Sequence, residues 1–284
     1  MRYLPNGKQM SEADAHTIHE IGIPSLVLME RAALQIVETM HKKNISTEKS
    51  LIVCGSGNNG GDGFAVARLL TEQGKHADVL FAGREASFSE ECRCQKQIVE
   101  NMGISVFTEF PDEEYTVIID AVFGVGLCRE ITGHYKDVID WMNLQDAEKV
   151  AVDIPSGICA ATGEILGTAF RADLTVCMAC VKLGCELFPG KSYAGESIPV
   201  AIGIDPNYFS NRLDVCYTFD KNELGKLLPA RMMNSHKGSY GKVLMITGSP
   251  GMAGAAFLSA CAAYTVGAGL VQIYTASENR LALQ

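Results

Sequence analysis

Leu51-Ile-Val-Cys-Gly-Ser-Gly-Asn-Asn-Gly-Gly-Asp-Gly63 governs how the rest of the chain is read. An apolar β-type run, Leu51 to Cys54, empties into a stretch with five glycines among nine residues, and a helical pattern, Phe64-Ala-Val-Ala-Arg-Leu-Leu70, comes at once after it. The order is strand, glycine loop, helix. Glycines let the backbone approach a bound group closely, and the free N–H groups of a helix start favour anionic oxygens, so a phosphate-bearing ligand is the natural occupant. The stretch is neither Gly-x-Gly-x-x-Gly running straight into a helix nor a Walker loop, since no Gly-Lys-Ser/Thr is present. Asn58, Asn59 and Asp62 instead offer oxygens to a hard cation and donors to a ligand. The plain alternative is a tight βα turn with Asp62 as a helix cap. The density of glycine and polar residues argues against it.

On either side of this stretch, apolar runs alternate with helical patterns. The runs are Leu51 to Cys54, Ala77 to Phe81, Ile104 to Thr108, Thr116 to Phe123, Val150 to Ile154, Leu174 to Val181 and Ile198 to Ile202. Between several of them lie stretches with helical spacing, Gly63 to Gly74, Ser89 to Met102 and Gly133 to Met142. This order predicts parallel strands joined by crossover helices. Ahead of them, Ser11 is read as the cap of one helix and Pro24 as the start of a second. A domain boundary is expected in the polar text after Ile202, with a first domain over 1–215 and a second over 220–284. The second carries a strand at Lys242 to Thr247, a glycine loop at Gly248 to Gly254, a helix from Ala255 and a strand from Leu270 to Thr275.

The chain has 284 residues, 47% of them apolar, and a net charge of −9, with Lys and Arg scattered singly, so no basic stripe offers itself to nucleic acid. No run reaches about 18 uninterrupted apolar residues, and the N-terminal text is too polar for a signal peptide. A cytoplasmic protein with neither nucleic-acid nor membrane partner is expected. Most of the ten cysteines fall in apolar runs and read as reduced thiols. Cys177-x-x-Cys180 lacks a second pair at zinc spacing and is expected to be structural.

In open parallel sheets ligands bind beyond the carboxyl ends of the strands. Besides the glycine stretch, two such places stand out: Asp120-Ala-Val-Phe-Gly-Val-Gly-Leu-Cys-Arg-Glu130 and Val152-Asp-Ile-Pro-Ser-Gly157. An Asp inside an apolar strand needs a cation or several donors to offset desolvation. Each place alone reads as a cap or turn. Three at one sheet edge point to a site, in which Asn59, Asp120 and Ser156 could ligate one cation while Asp153 remains as an acid or base.

Taken together, GSGNNGGDG, DAVFGVGLCRE and VDIPSG resemble the signature blocks of the NAD(P)H-hydrate (NAD(P)HX) epimerase family, over about residues 1 to 210. The region from Asn234 through Thr275, with HKGSYGKVLMITGSPGMAGAA, resembles the start of an ADP- or ATP-dependent NAD(P)HX dehydratase domain of ribokinase-like fold. The resemblance implies an α/β, Rossmann-like three-layer αβα sandwich with a mostly parallel sheet, succeeded by the beginning of that second domain, as in bifunctional repair enzymes cut short. It implies that Asn58, Asn59, Gly60, Gly61 and Asp62 contact the hydrated nucleotide, and that Gly124, Val125, Gly126, Leu127, Cys128, Arg129 and Glu130 cradle its phosphates. Potassium (K+) would lie at Asn59, Asp120 and Ser156, with Asp153 as the acid/base at the damaged nicotinamide ring. Tyr135 is a further pocket candidate, against the plainer reading of a packed helix tyrosine. Lys182 is a weaker one, read here as an ordinary surface lysine. In the second domain Ala255 would touch substrate, and ADP or ATP with Mg2+ would serve only the full-length dehydratase.

The implied substrate, NADHX or NADPHX, carries a hydroxyl on C6 beside the ring nitrogen. Loss and return of water at that carbon, or ring opening and reclosure, would interconvert its R and S forms so that the dehydratase can restore NAD(P)H. The chain is expected to epimerise but not to dehydrate, because no Gly-Ser/Thr-Gly-Asp block comes after Thr275. A homo-oligomer is expected, and Asp153→Asn is expected to remove activity while leaving the fold intact. A Rossmann-like dehydrogenase and a non-catalytic binding scaffold remain as alternatives. The first lacks a convincing acid after Ala77 to Phe81, and the retained Asp153, Asp120 and Asn pair argue against the second.

Overall fold

Seven of the apolar runs become one parallel sheet. A computed structural model describes residues 1–227 and 230–284. In chain order the first unit contains β1 (Arg2–Leu4), α1 (Gly7–His16), a π-helical turn (Thr17–Ile21), α2 (Ser25–Lys42), β2 (Lys49–Cys54), α3 (Asn58–Glu72), β3 (His76–Phe81), α4 (Glu90–Asn101) and β4 (Val106–Phe107). It continues with β5 (Val117–Ala121), α5 (His134–Leu144), β6 (Glu148–Val152), β7 (Leu174–Met178), α6 (Leu183–Glu186), α7 (Lys191–Ala194), β8 (Glu196–Val200) and β9 (Cys216–Thr218). The sheet order is β4-β3-β2-β5-β6-β7-β8, every neighbouring pair parallel.

Alternation along the strands sends successive residues to opposite faces, and helices cover both. Ile52 and Cys54 of β2 pack with Ile36 of α2, Val66 of α3 and Val99 of α4. Leu51 and Val53 pack with Val138, Ile139 and Met142 of α5. The result is a Rossmann-like αβα sandwich.

Two helix starts differ from expectation. Asn6, not Ser11, caps α1: its side chain accepts from Gln9 N at 2.9 Å while Gln9 Oε1 accepts from Asn6 N at 2.9 Å. Ser11 lies one turn inside the helix. The glycine stretch, expected as a loop, is already the first turn and a half of α3, which starts at Asn58. A run of glycines is a poor helix former at about 1 kcal/mol each, so packing must hold it. A Cβ on Gly60 would stand 2.0 Å from Gly55 O, and one on Gly63 would stand 2.6 Å from Ala121 Cβ and 2.7 Å from Cys54 Sγ. Gly63→Ala is therefore expected to destabilise the protein by about 1–3 kcal/mol despite better helix propensity, because overpacking against β2 and β5 outweighs it. Urea unfolding that gives equal or higher stability for the variant would show that α3 has room to shift.

The first unit runs through Thr218 and the second from Phe219 to Gln284. It extends three residues past the expected end at 215 because β9 pairs antiparallel with β1, Leu4 opposite Cys216. The second unit contains α8 (Lys221–Leu227), β10 (Lys242–Ile246), α9 (Ala253–Thr265), β11 (Leu270–Tyr274) and α10 (Arg280–Leu283), with β10 and β11 parallel. Of these helices α9 packs against both strands, and Leu244, Ile246, Phe257 and Leu258 are left exposed. All ten cysteines are free thiols, Cys177 and Cys180 among the buried ones. No described helix is long and apolar enough to cross a membrane.

Candidate active site

Strand order reverses between β2 and β5, and a crevice opens at the carboxyl ends of strands where such a switch occurs. A cavity of about 550 Å³ lies there. Its floor is built from the segments just after β2, β5, β6 and β7, and its side from α1 and α2.

Of the residues expected to bind substrate, Asn58, Asn59, Asp62, Gly124, Val125, Gly126, Leu127, Arg129, Tyr135 and Asp153 line this cavity. Gly60 and Gly61 are buried in the helix packing, Gly61 against Met29. Cys128 and Glu130 are exposed and off the wall, Glu130 lying beside Gly167. Ala255 belongs to α9 of the second unit. Tyr135 is both packed and lining, its ring 4.8 Å from that of Phe123. The start of α3 brings Gly57, Asn58 and Asn59 to the wall. Gly61 N closes the first helical bond to Gly57 O at 3.1 Å, so the N–H groups before it lack helical acceptors and can serve an anion.

Asp153 comes directly after β6 at φ 69°, a left-handed conformation that a non-glycine residue holds only under constraint. The constraint is visible. Asp153 N donates to Val176 O at 2.8 Å, and Ile154 N turns back to Val152 O at 2.8 Å. Ala179 repeats the device after β7 at φ 59°, with Cys180 N donating to Met178 O at 2.7 Å. The two adjacent strand ends are folded sharply, and the first delivers the Asp153 carboxylate to the cavity.

Lys182 is not the surface lysine expected from sequence. It is 0% exposed, and its ammonium donates to Asp153 Oδ1 and, at 2.9 Å, to Met178 O. Burial alone would lower its pKa, but the attraction of Asp153 outweighs this and raises it, so the ammonium stays charged. Met178 N also donates to Asp153 Oδ1 at 2.9 Å. That carboxylate oxygen is thus shared by the lysine ammonium and a backbone N–H.

Two further acids face the cavity. Asp62 is held well above the usual carboxylate range by burial, then by repulsion from Asp153 and Asp14, with Lys182 opposing. Asp14, two residues before the end of α1, was not among the residues singled out from sequence, where it reads as an ordinary polar helix position. Burial first and Asp153 second push it up to about 6, against the pull of Lys182.

Asp120 is fully buried at the end of β5. Its oxygens accept from Ser156 N at 2.7 Å, Ser156 Oγ at 2.7 Å and Val122 N at 3.2 Å. Burial raises it to about 6 although these bonds oppose the rise. Among the described residues no basic side chain pairs with it. Asn59 lies against Gly124 in the turn after β5, and its Nδ2 is buried without a partner. The buried carboxylate and hydroxyl oxygens of Asp120 and Ser156, with no thiolate and no competing base, are of the chemistry that fits an alkali or other hard cation, whereas the orphaned Asn59 Nδ2 is a donor and calls for an acceptor.

A helix end with free N–H groups and a rigidly held carboxylate share one cavity at the switch point of a parallel sheet in a Rossmann-like fold. The chain belongs to the YjeF-related protein N-terminus family, whose profile matches residues 25–184. It is 42% identical over 201 residues to the NAD(P)H-hydrate epimerase of Oenococcus oeni, covering 70% of this chain and 96% of that one. The NAD(P)H-hydrate epimerase of Limosilactobacillus reuteri is 44% identical over 197 residues, 69% of this chain and 93% of its own. The bifunctional NAD(P)H-hydrate repair enzyme Nnr of Moorella thermoacetica is 35% identical over 287 residues, covering 95% of this chain, which spans 53% of that relative. The crystal structure of the yeast protein ynu0 shares the fold, with a TM-score of 0.60 at 17% identity, over 76% of this chain and 99% of its own.

Proposed function

We propose that this chain interconverts the R and S epimers of NAD(P)HX. The observation that supports the reading is the shared cavity, which the α3 terminus, the turn after β5 and the rigidly held Asp153 line together; a pyrophosphate would lie against the first two. Arg129 supplies the one basic side chain on the wall among the described residues. With its phosphates there, the hydrated nicotinamide ring lies toward Asp153, whose carboxylate moves a proton at the C6 oxygen. Positioned proton transfer of this kind contributes about 10²–10⁴ in rate. No hydride moves. The test is restoration of NADH from mixed NADHX by a dehydratase that takes only the S form. Alone, it stops when that form is spent; with this chain added, it should run to completion, and an unchanged end point would overturn the reading.

Asn59, Asp120 and Ser156 would hold potassium, which supplies positive charge that orders the phosphate-facing turns when bound. The pH dependence has a definite sign. Asp120 binds its proton more tightly folded, at about 6, than unfolded, so its contribution is present below the unfolded value of 3.8 and is lost as pH rises through 6. A cation that pairs with the ionised form offsets the loss. Potassium in place of a bulky organic cation is therefore expected to raise Tm more at about pH 7.5 than at about pH 5, and Asp120→Ala should abolish the difference. Equal Tm in both salts at both pH values would count against the site.

Residues 220–284 are read as the opening of a dehydratase domain on the strength of the bifunctional relative, with Ala255 on its substrate side and ADP or ATP with Mg2+ acting there. A cytoplasmic homo-oligomer agrees with this reading.

A further inference from the structure

Inverting C6 by exchange of water requires one group to protonate the leaving hydroxyl and another to take a proton from the water that arrives on the opposite ring face. A single rigid carboxylate cannot attend both faces. Asp153 is such a carboxylate, fixed by its turn and by the donors on Oδ1. It stands on the strand-end side of the cavity. The helical side is formed by Met10, Asp14 and Ile18 at four-residue spacing together with Ser25, Leu28, Met29 and Ala32 from α2, and the one ionisable group among these is Asp14. No hydrogen bond or ion pair engages its side chain among the described residues.

We infer that Asp14 is the second acid–base residue, protonating the C6 oxygen from the helical side while Asp153 receives the proton of the incoming water. This rests on the epimerase reading above. In the R direction the Asp14 O–H bond breaks and a bond forms from its proton to the C6 hydroxyl. The C6–O bond then breaks, water leaves, and the ring nitrogen lone pair forms the C6–N double bond. A water on the other face attacks C6, returns that pair to nitrogen and gives its proton to Asp153. Atoms and charge balance, with one proton moved from Asp14 to Asp153. The S direction is the reverse, run by the tautomer of the enzyme that the R direction leaves behind.

The remaining titratable groups around the cavity agree with this division. Lys182 stays paired with Asp153, Asp62 faces in from α3, and Arg129 stands in the turn after β5. Of the two raised acids, Asp62 stands in α3 beside the Asn58 and Asn59 end assigned to the phosphates, whereas Asp14 stands apart from it on α1 and, pushed up to about 6, is suited to exchange near neutrality. Because R and S bind tautomers of equal proton count, both directions share one pH profile of kcat/KM. It falls as pH rises through the Asp14 value.

The test is Asp14→Asn, assayed in both directions against pH, with circular dichroism to check folding. Expected is a loss of about 10²–10⁴-fold in kcat, with KM changed far less and the high-pH limb near 6 removed. Asp14→Glu should keep the limb, displaced, and recover part of the rate. Parental kcat with an unchanged limb in Asp14→Asn would overturn the assignment. If the amide variant does not fold, an undisplaced limb in Asp14→Glu would overturn it equally. Failure of the epimerase reading itself is distinguishable, because the parent protein would then convert neither epimer.

Discussion

Asp153→Asn should slow epimer interconversion by about 10²–10⁴-fold and also destabilise the fold by about 3–5 kcal/mol. The activity loss arises from removing the only carboxylate, among the described residues, that the strand ends deliver to the cavity. The second effect corrects the expectation that the amide would be structurally silent. Lys182 is wholly buried, and an amide leaves its ammonium facing Met178 O with no counter-charge. Backbone strain does not add to this, since asparagine tolerates the left-handed φ of 69° better than most residues. Guanidinium unfolding together with an epimer assay separates the two effects. Parental activity in a folded variant would remove Asp153 from the chemistry.

Lys182→Met should be nearly as disruptive, by about 3–5 kcal/mol, because it strands the Asp153 carboxylate in turn. The pair predicts more than either single change. Asp153→Asn combined with Lys182→Met removes both charges, and the double variant should be more stable than the sum of the singles by more than about 1 kcal/mol, the coupling expected of residues in direct contact. Strict additivity would mean that the ion pair carries no weight. Activity should stay low in the double variant even where stability returns, which separates the fold from the chemistry.

Much of this site is legible in the sequence because it depends on local pattern. A parallel sheet puts its ligands at strand ends, so Asp120, Asp153 and Ser156 could be picked out as polar residues interrupting or closing apolar runs. The sheet itself is legible in the same runs, with ends misplaced by a few residues, as at Leu174 to Val181, where the sharp turn at Ala179 stops the strand at Met178. What could not be read depends on distant partners. Lys182 comes shortly after a strand and looks solvent-facing. Only Asp153, 29 residues earlier, makes its burial tolerable. Asp14 sits in an ordinary helical stretch, and it reaches the cavity only because α1 closes one side of it. The glycine stretch reads as a loop by propensity and is a helix because Gly60 and Gly63 are the places where α3 meets Gly55 and Ala121.

Whether this cavity inverts C6 of a hydrated nicotinamide nucleotide is best decided with purified R-NADHX. The protein is added and chromatography tracks the appearance of the S form, with Asp153→Asn as control. Approach to the R/S equilibrium far faster than in buffer, lost in the variant, is the predicted result. R-NADHX that epimerises no faster with the folded protein than without it would refute the epimerase assignment.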